Sequence, residues 1–231
     1  MLPSLSIVIP AYNEEGSIGA TIEDALRVGA GASGELEVVV CDDGSADATA
    51  AIARRYPVRL VEHAQNRGIE ASMRDLYRAA RGAWVFLMSA DRQWPMEALV
   101  PMAAAAEAGA DFVIGVRGNK REVYTPYRRA LSWTYERIVR ALGAPGGDPG
   151  SIKLARRELL DRPLVAAGVF AEGERVIRAA RGGARVVEVP VPFHRRARGQ
   201  ATGARPRVVA RALADAARVA ASLTIGRPRA R

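Results

Sequence analysis

Short apolar runs alternate with longer amphipathic stretches along the chain. Residues 5–9, 36–41, 58–61, 84–88, 112–114 and 186–189 are nearly continuous apolar runs of strand length. Helical spacing of apolar positions covers 15–29, 47–56, 69–81, 97–108, 127–142 and 172–181. Strands that are apolar throughout belong to a sheet covered on both faces, because each side chain is buried whichever way it points. Alternation with helices predicts an α/β fold, a mostly parallel central sheet with helices on both faces. The run Ala144-Pro145-Gly146-Gly147-Asp148-Pro149-Gly150 breaks regular structure and reads as a loop.

The last pattern, 208–223, is an amphipathic helix. Arg207, Arg211, Asp215, Arg218 and Ser222 fall on one face, and Val209, Leu213, Ala216, Ala220 and Leu223 on the opposite one. A helix packed on its own domain and a helix lying on an anionic membrane surface both have this pattern. The expected organisation is an α/β domain over residues 1–203 and a basic amphipathic helix and tail over 204–231.

Composition changes this picture at one point. The net charge of +9 is unevenly distributed. Residues 1–110 carry 9 basic and 15 acidic side chains, whereas 111–231 carry 25 basic and 10 acidic. The first half suits a metal or a polar ligand and the second suits anions. The longest uncharged stretch, 1–13, is too short to cross a bilayer and lacks the basic start of a signal peptide. One cysteine, Cys41, forms no internal disulfide framework and fits a reducing, cytoplasmic setting. The basic segment 194–231 contains no Phe, Tyr or Trp for base stacking, so no nucleic-acid partner is expected.

In open parallel sheets, ligands bind beyond the carboxyl ends of the strands. Polar clusters follow three of the predicted strands there: Pro10-Ala11-Tyr12-Asn13-Glu14-Glu15, Asp42-Asp43-Gly44-Ser45-Ala46-Asp47, and Ser89-Ala90-Asp91-Arg92-Gln93. Each alone could be a helix start. Three on one sheet edge point to a polar ligand with a hard cation, which prefers oxygen donors. No Gly-x-Gly-x-x-Gly and no Gly-Lys-Ser/Thr follows the first strand, which excludes the usual dinucleotide and P-loop sites.

These residues carry a resemblance. Ile9-Pro10-Ala11-Tyr12-Asn13-Glu14, Asp42-Asp43-Gly44-Ser45-x-Asp47-x-Thr49, Asn66-x-Gly68 and Asp91-x-Gln93-x-Pro95 resemble the inverting family-two glycosyltransferases. Within these the pattern is similar to the dolichol-phosphate mannosyltransferase and polyprenyl-phosphate glycosyltransferase group. It continues through Gly115-x-Arg117, Arg128-x-x-x-Ser132, Asp148, Lys153-Leu154-x-Arg156-Arg157, Glu188-Val189-Pro190-Val191 and Arg196-x-x-Gly199.

The resemblance implies a GT-A fold and residue roles. Pro10, Tyr12, Glu14, Asp42, Asp43, Asn66 and Gly68 fall at nucleotide-binding positions. Asp91 falls on the second Asp of the Asp-x-Asp motif and, with Gln93, at the site for Mg²⁺ or Mn²⁺. Asp91, Arg117 and Arg128 are the expected catalytic residues, and Ser132, Asp148 and Arg196 the expected acceptor or phosphate contacts. The first motif Asp is Ser89 here, and the usual Gly-Phe before Lys153 is absent.

The implied reaction moves a hexose from a nucleotide-sugar such as GDP-mannose or UDP-glucose, with inversion. A polyprenyl phosphate acceptor needs no general base, because its oxygen is already anionic, whereas a hydroxyl acceptor does need one. The surplus of Arg fits phosphate. An acceptor with a soluble hydroxyl, served by Glu172 or Glu174 as base, is the alternative, as is a nucleotide-sugar-binding member without turnover. The expected setting is the inner face of the cell membrane, with an anionic lipid surface and a membrane-embedded subunit as partners. Trp94, just past the metal motif, is a candidate sugar-facing wall. Cys41 reads as a small buried hydrophobe, and His63 has no ligand-like neighbour in sequence.

Overall fold

The computed structural model describes residues 1–119, 124–145, 148, 150–194 and 206–225. Seven strands form one sheet in the order β3-β2-β1-β4-β6-β5-β7. They are β1 (Leu2–Ala11), β2 (Ser33–Asp42), β3 (Arg59–Glu62), β4 (Trp84–Leu87), β5 (Phe112–Arg117), β6 (Lys153–Arg156) and β7 (Val186–Val191). All neighbours run parallel except β6, which is antiparallel to both β4 and β5. The α/β expectation holds. Residue 153–156 pairing was not anticipated, because a four-residue run with Lys and Arg at its ends has no apolar signature.

The helices among the described residues are α1 (Ile18–Ala32), α2 (Thr49–Ala53), α3 (Ile69–Ala79), α4 (Leu99–Glu107), α5 (Pro126–Ala141), α6 (Arg157–Leu160), α7 (Ala171–Arg181) and α8 (Pro206–Ile225). Successive side chains of a strand point to opposite faces, and the core divides accordingly. Ile7, Ile9, Val38, Val40 and Phe86 pack with Ile18, Ile22, Leu99 and Met102 of α1 and α4. Val8, Val39, Cys41, Val85 and Leu87 pack with Met73, Leu76, Val139, Val176 and Ile177 of α3, α5 and α7. α5 starts on a clear signal: the Thr125 side chain accepts the Arg128 N–H, and Pro126 occupies the first turn.

The chain runs outward from β1 through β2 to β3, then returns to place β4 on the other side of β1. This reversal opens a crevice beyond the carboxyl ends of β1, β2 and β4.

The layer over β6 contains a buried ionic cluster. Lys153 is fully buried, and its ammonium donates to Glu172 Oε2. Glu172 also accepts from Arg175 Nε at 3.0 Å and from the Tyr77 hydroxyl at 3.2 Å. The Arg175 guanidinium lies 4.6 Å above the Tyr77 ring and reaches the Leu160 carbonyl. Four elements are thereby tied at one point.

α8 packs on α7 and the loop before it, and its orientation differs from simple hydrophobic patterning. Asp215 is fully buried, accepts the Gly168 N–H at 2.9 Å and pairs with Arg218. Ala216 and Val219 are buried beside it, and Arg178 of α7 donates to Ser222 at 3.3 Å. Leu213, expected inward, is 49% exposed. Capping an otherwise unpaired backbone N–H outweighs burial of one leucine here. No helix among the described residues is long and apolar enough to cross a membrane.

Burial pushes the Glu172 carboxyl up, but Lys153 and Arg175 together outweigh it and hold the group below its ordinary value of 4.5. Its share of stability is therefore present above that ordinary value and lost as pH falls through the lower folded one. Lys153→Met is expected to cost about 3 kcal/mol at pH 7, the low end for breaking a buried pair, since Arg175 and Tyr77 remain. Urea melts should show this penalty shrinking in acid. A pH-independent penalty would contradict the ionic account.

Candidate active site

The loops after β1 and β2 form one unit. The Asp43 N–H donates to the Ala11 carbonyl at 2.9 Å. Asn13 N–H donates to Ser45 Oγ at 2.9 Å, and Asn13 Oδ1 accepts the Ala46 N–H at 2.9 Å. Glu14 N–H donates to Thr49 Oγ1 at 2.8 Å, and Glu15 N–H to Asp47 Oδ2 at 3.1 Å. Asn13 takes the left-handed conformation at φ 54°, which its short polar side chain tolerates. Thr49 and Asp47 are therefore loop-building residues. Tyr12 stands at the rim, 47% exposed, and Glu14 accepts the Ser17 hydroxyl at 2.8 Å. Pro10 closes β1 in register with Cys41.

The paired aspartates divide their tasks. Asp43 is buried, with Oδ1 accepting the Arg67 N–H at 2.9 Å and Oδ2 accepting the Gly68 N–H at 2.8 Å. It holds the turn that carries Asn66 and Gly68. Asp42 is also buried; Oδ2 accepts the Ser45 N–H at 3.2 Å, and Oδ1 has no protein partner. Gly44 lies between the β2 end and that turn at φ 69°, and a Cβ on it would sit 2.4 Å from the Gln65 carbonyl carbon. Only glycine fits there.

Past β4, Asp91 is oriented by its own loop. Its Oδ1 accepts the Ser89 hydroxyl at 2.6 Å and the Gln93 N–H at 3.1 Å. Arg92 between them has φ 56°. Gln93 ties this loop to the chain past β7: His194 N–H donates to its carbonyl at 2.7 Å, and its Nε2 donates to the His194 carbonyl at 3.3 Å. A cavity of about 300 Å³ lies alongside, lined by Thr21, Ser89, Arg92, Trp94, Glu97 and His194. No group of three or more His, Cys, Asp or Glu side chains gathers as a metal cluster among the described residues. The oxygen donors offered are one carboxylate, Asp91, with the Gln93 carboxamide beside it. Such a set fits Mg²⁺ or Mn²⁺ when a diphosphate completes the shell, because these ions keep few protein ligands beside substrate phosphates.

A second cluster centres on Arg117 at the end of β5. Its Nη1 donates to both Asp148 oxygens, at 2.7 and 2.6 Å. The guanidinium lies 4.7 Å from the Trp94 ring and 4.5 Å from Phe193, and these rings meet edge-on at 4.8 Å. Tyr124 is 5.7 Å from Arg117 and 4.6 Å from the Arg128 guanidinium, so one ring spans two of the expected catalytic residues. Arg117 Nε is buried with no partner. Trp94 is buried, with its face on Arg117 and an edge on the cavity.

The structure thus brings Arg117, Arg128 and Asp148 together, and it adds Tyr124 and Phe193, which no motif marked. Ser132 is tied along its own helix, donating to Glu136 at 2.9 Å. Arg196 lies outside the described residues. Glu174 is fully buried and accepts the N–H groups of Val165 and Ala166, at 3.0 and 2.7 Å, and Arg178 Nε at 2.6 Å. Glu70, in the first turn of α3, is pushed up to about 8 by burial and by the charge of Glu172, against Lys153 and Arg175.

Comparison with known proteins gives a family and a fold. The model of the family described as Glycosyl transferase family 2 matches residues 6–162. The dolichyl-phosphate hexose transferase of Haloferax volcanii is 32% identical over 196 residues, 84% of each chain. The dodecaprenyl-phosphate galacturonate synthase of Rhizobium johnstonii is 29% identical over 208 residues, 84% of this chain and 60% of that one. The dolichol-phosphate mannosyltransferase of Pyrococcus furiosus is 30% identical over 138 residues, 55% of this chain and 38% of that one. The fold is similar to glucosyl-3-phosphoglycerate synthase of Mycobacterium tuberculosis, crystallised with Mn²⁺ and UDP. That match has a TM-score of 0.72 at 21% identity and covers 93% of this chain and 80% of the other.

A buried carboxylate oxygen without a partner is unfavourable until a ligand N–H reaches it. Asp42→Ala is expected to weaken binding of GDP or UDP, whichever the protein takes, about tenfold or more, the equivalent of one charge-assisted hydrogen bond. Titration calorimetry in Mn²⁺ reads this. Unchanged affinity would remove Asp42 from the ligand site.

Proposed function

The chain belongs to glycosyl transferase family 2, and from that premise we propose that it transfers a hexose from a nucleotide-sugar to a polyprenyl phosphate, with inversion. The observation that carries this reading is the Arg117 cluster facing the same edge as Asp91. A guanidinium that is half-enclosed by Trp94 and Phe193 and retains an unpartnered Nε is suited to an anion. Parallel N–H bonds to phosphate are the strongest pairing that it can make.

The donor half binds and orients. Asp42 offers an acceptor oxygen to a nucleobase N–H, Tyr12 stands over it, and the Asn66–Gly68 turn lies alongside. Asp91, held by Ser89 and Gln93, would carry the divalent ion, which supplies charge neutralisation for the departing nucleoside diphosphate. The acceptor half attracts the second phosphate. Arg117 exchanges Asp148 for it, and Arg128 closes from across the Tyr124 ring. The acceptor oxygen then attacks the anomeric carbon from the face opposite the diphosphate.

The rival with a hydroxyl acceptor needs a base. Glu174 uses both oxygens on backbone N–H groups and Arg178, and Glu172 is neutralised by Lys153 and Arg175. Neither is placed to take a proton, which supports the phosphate acceptor.

The outward face of α8 supports a location. Val209, Ala210, Leu213, Ala214, Ala217 and Ala221 carry no charge, while Arg207, Arg211 and Arg218 flank them. We place this face on an anionic membrane, where Arg207 and Arg211 each add about 1 kcal/mol and Arg218 is held by Asp215. The basic stripe serves as the rim and the apolar strip makes the contact. In flotation with phosphatidylglycerol vesicles the protein should float, and the Arg207→Glu, Leu213→Asp variant should not. Equal flotation would contradict the docking face.

The chemistry is tested by supplying labelled GDP-mannose or UDP-glucose with Mn²⁺ and a polyprenyl phosphate. Label should enter the organic phase, and Asp91→Ala should lower the rate by about 100- to 1,000-fold, as for loss of a group that stabilises developing charge. Full activity of Asp91→Ala would contradict the assigned role.

A further inference from the structure

His63 is the buried titratable side chain closest to the nucleotide crevice that the mechanism above does not use. It follows β3, and its backbone N–H donates to the Asp42 carbonyl at 2.9 Å. Its side chain is 4% exposed. Nδ1 lies 2.6 Å from Asp43 Oδ1, and Nε2 lies 3.2 Å from Asp75 Oδ2 on α3. Asp75 is held in turn by Arg67 at 3.1 Å and Arg74 at 3.4 Å.

Both partners are carboxylates, which only accept, so each ring nitrogen must donate. Cys41 Sγ, 3.7 Å from Nε2, does not alter the assignment. Burial pushes its thiol up to about 11 and Ser72 is its hydrogen-bond partner, so it contributes a neutral neighbour and no thiolate. The charged groups facing the ring are therefore Asp43 from the β2 end, Asp75 from α3, and Arg67 and Arg74 behind Asp75.

We propose that His63, bridging Asp43 and Asp75 with both ring nitrogens donating, is a positioning residue for nucleotide binding. Asp43 uses its remaining hydrogen bonds on the Arg67 and Gly68 N–H groups, so its orientation sets the turn that carries Asn66 and Gly68. The His63 backbone bond to the Asp42 carbonyl places the ring at the β2 end. The ring thus ties Asp43, which builds the turn beside Asp42, to Asp75 on α3. This rests on the reading that the crevice past β1, β2 and β4 takes the nucleotide.

The test uses the full chain with ¹⁵N-labelled histidine. The protein has two histidines, so the His63 ring signals are those lost in His63→Gln. Both ring nitrogens should resonate as protonated at pH 7.5, and a neutral tautomer would overturn the proposal. Calorimetry with UDP and GDP in Mn²⁺ gives the second readout. His63→Gln, which keeps one donor, should weaken the nucleotide that binds about tenfold, and His63→Leu should weaken it further. At saturating donor the turnover of His63→Gln should stay within about twofold of the parent, the pattern of lost positioning. Asp42→Ala separates the two readings. If Asp42→Ala loses affinity and both His63 variants bind as tightly as the parent, this inference fails alone. If the parent binds neither nucleotide, the crevice reading fails, and this inference with it.

Discussion

Two adjacent carboxylates, Asp42 closing β2 and Asp43 just after it, are both buried, and the surrounding structure must supply their hydrogen-bond donors. Desolvated like charges repel, and each must find donors or protonate. Asp43 is answered by two backbone N–H groups and His63. Asp42 is answered in part, by one N–H from Ser45. The loop zipper from Asn13 to Thr49, the glycine at 44 and the turn at 66–68 are the means by which those donors are delivered. The crevice is shaped by this demand before any ligand arrives.

The other half of the molecule solves the converse problem. Arginines that are to meet phosphate must be held apart and kept from collapsing onto carboxylates for good. Arg117 is held by stacking on Trp94 and Phe193 as well as by Asp148, so its position survives exchange of the carboxylate for another anion. Lys153, Glu172, Arg175 and Tyr77 tie β6, α7 and α3 together through one buried cluster. Under the proposed function, the uneven distribution of charge along the chain would divide the molecule into a donor half and an acceptor half.

Much of this was legible in the sequence. The apolar runs that became β1, β2 and β4 were nearly unmistakable, because both faces of each strand are buried. The three polar clusters after them lie at one edge of the sheet, because β1, β2 and β4 are parallel. What remained hidden was hidden for physical reasons. β6 is four residues long, and its buried Lys153 is polar because its partner, Glu172, lies in another element. His63 looked isolated because Asp43 and Asp75 are 20 and 12 residues away. Tyr124 joins Arg117 and Arg128 by stacking, which leaves no spacing signal. Leu213 faces outward because Asp215 caps Gly168, a tertiary hydrogen bond that overrides helical patterning.

The account stands or falls on the atom that receives the sugar. The decisive measurement is the structure of the product formed from a nucleotide-sugar and a polyprenyl phosphate, read by mass spectrometry and by NMR at the anomeric carbon. A glycosyl phosphate ester with configuration opposite to the donor's is predicted. Retention of configuration, or transfer to a hydroxyl oxygen with the lipid phosphate left unmodified, would contradict it.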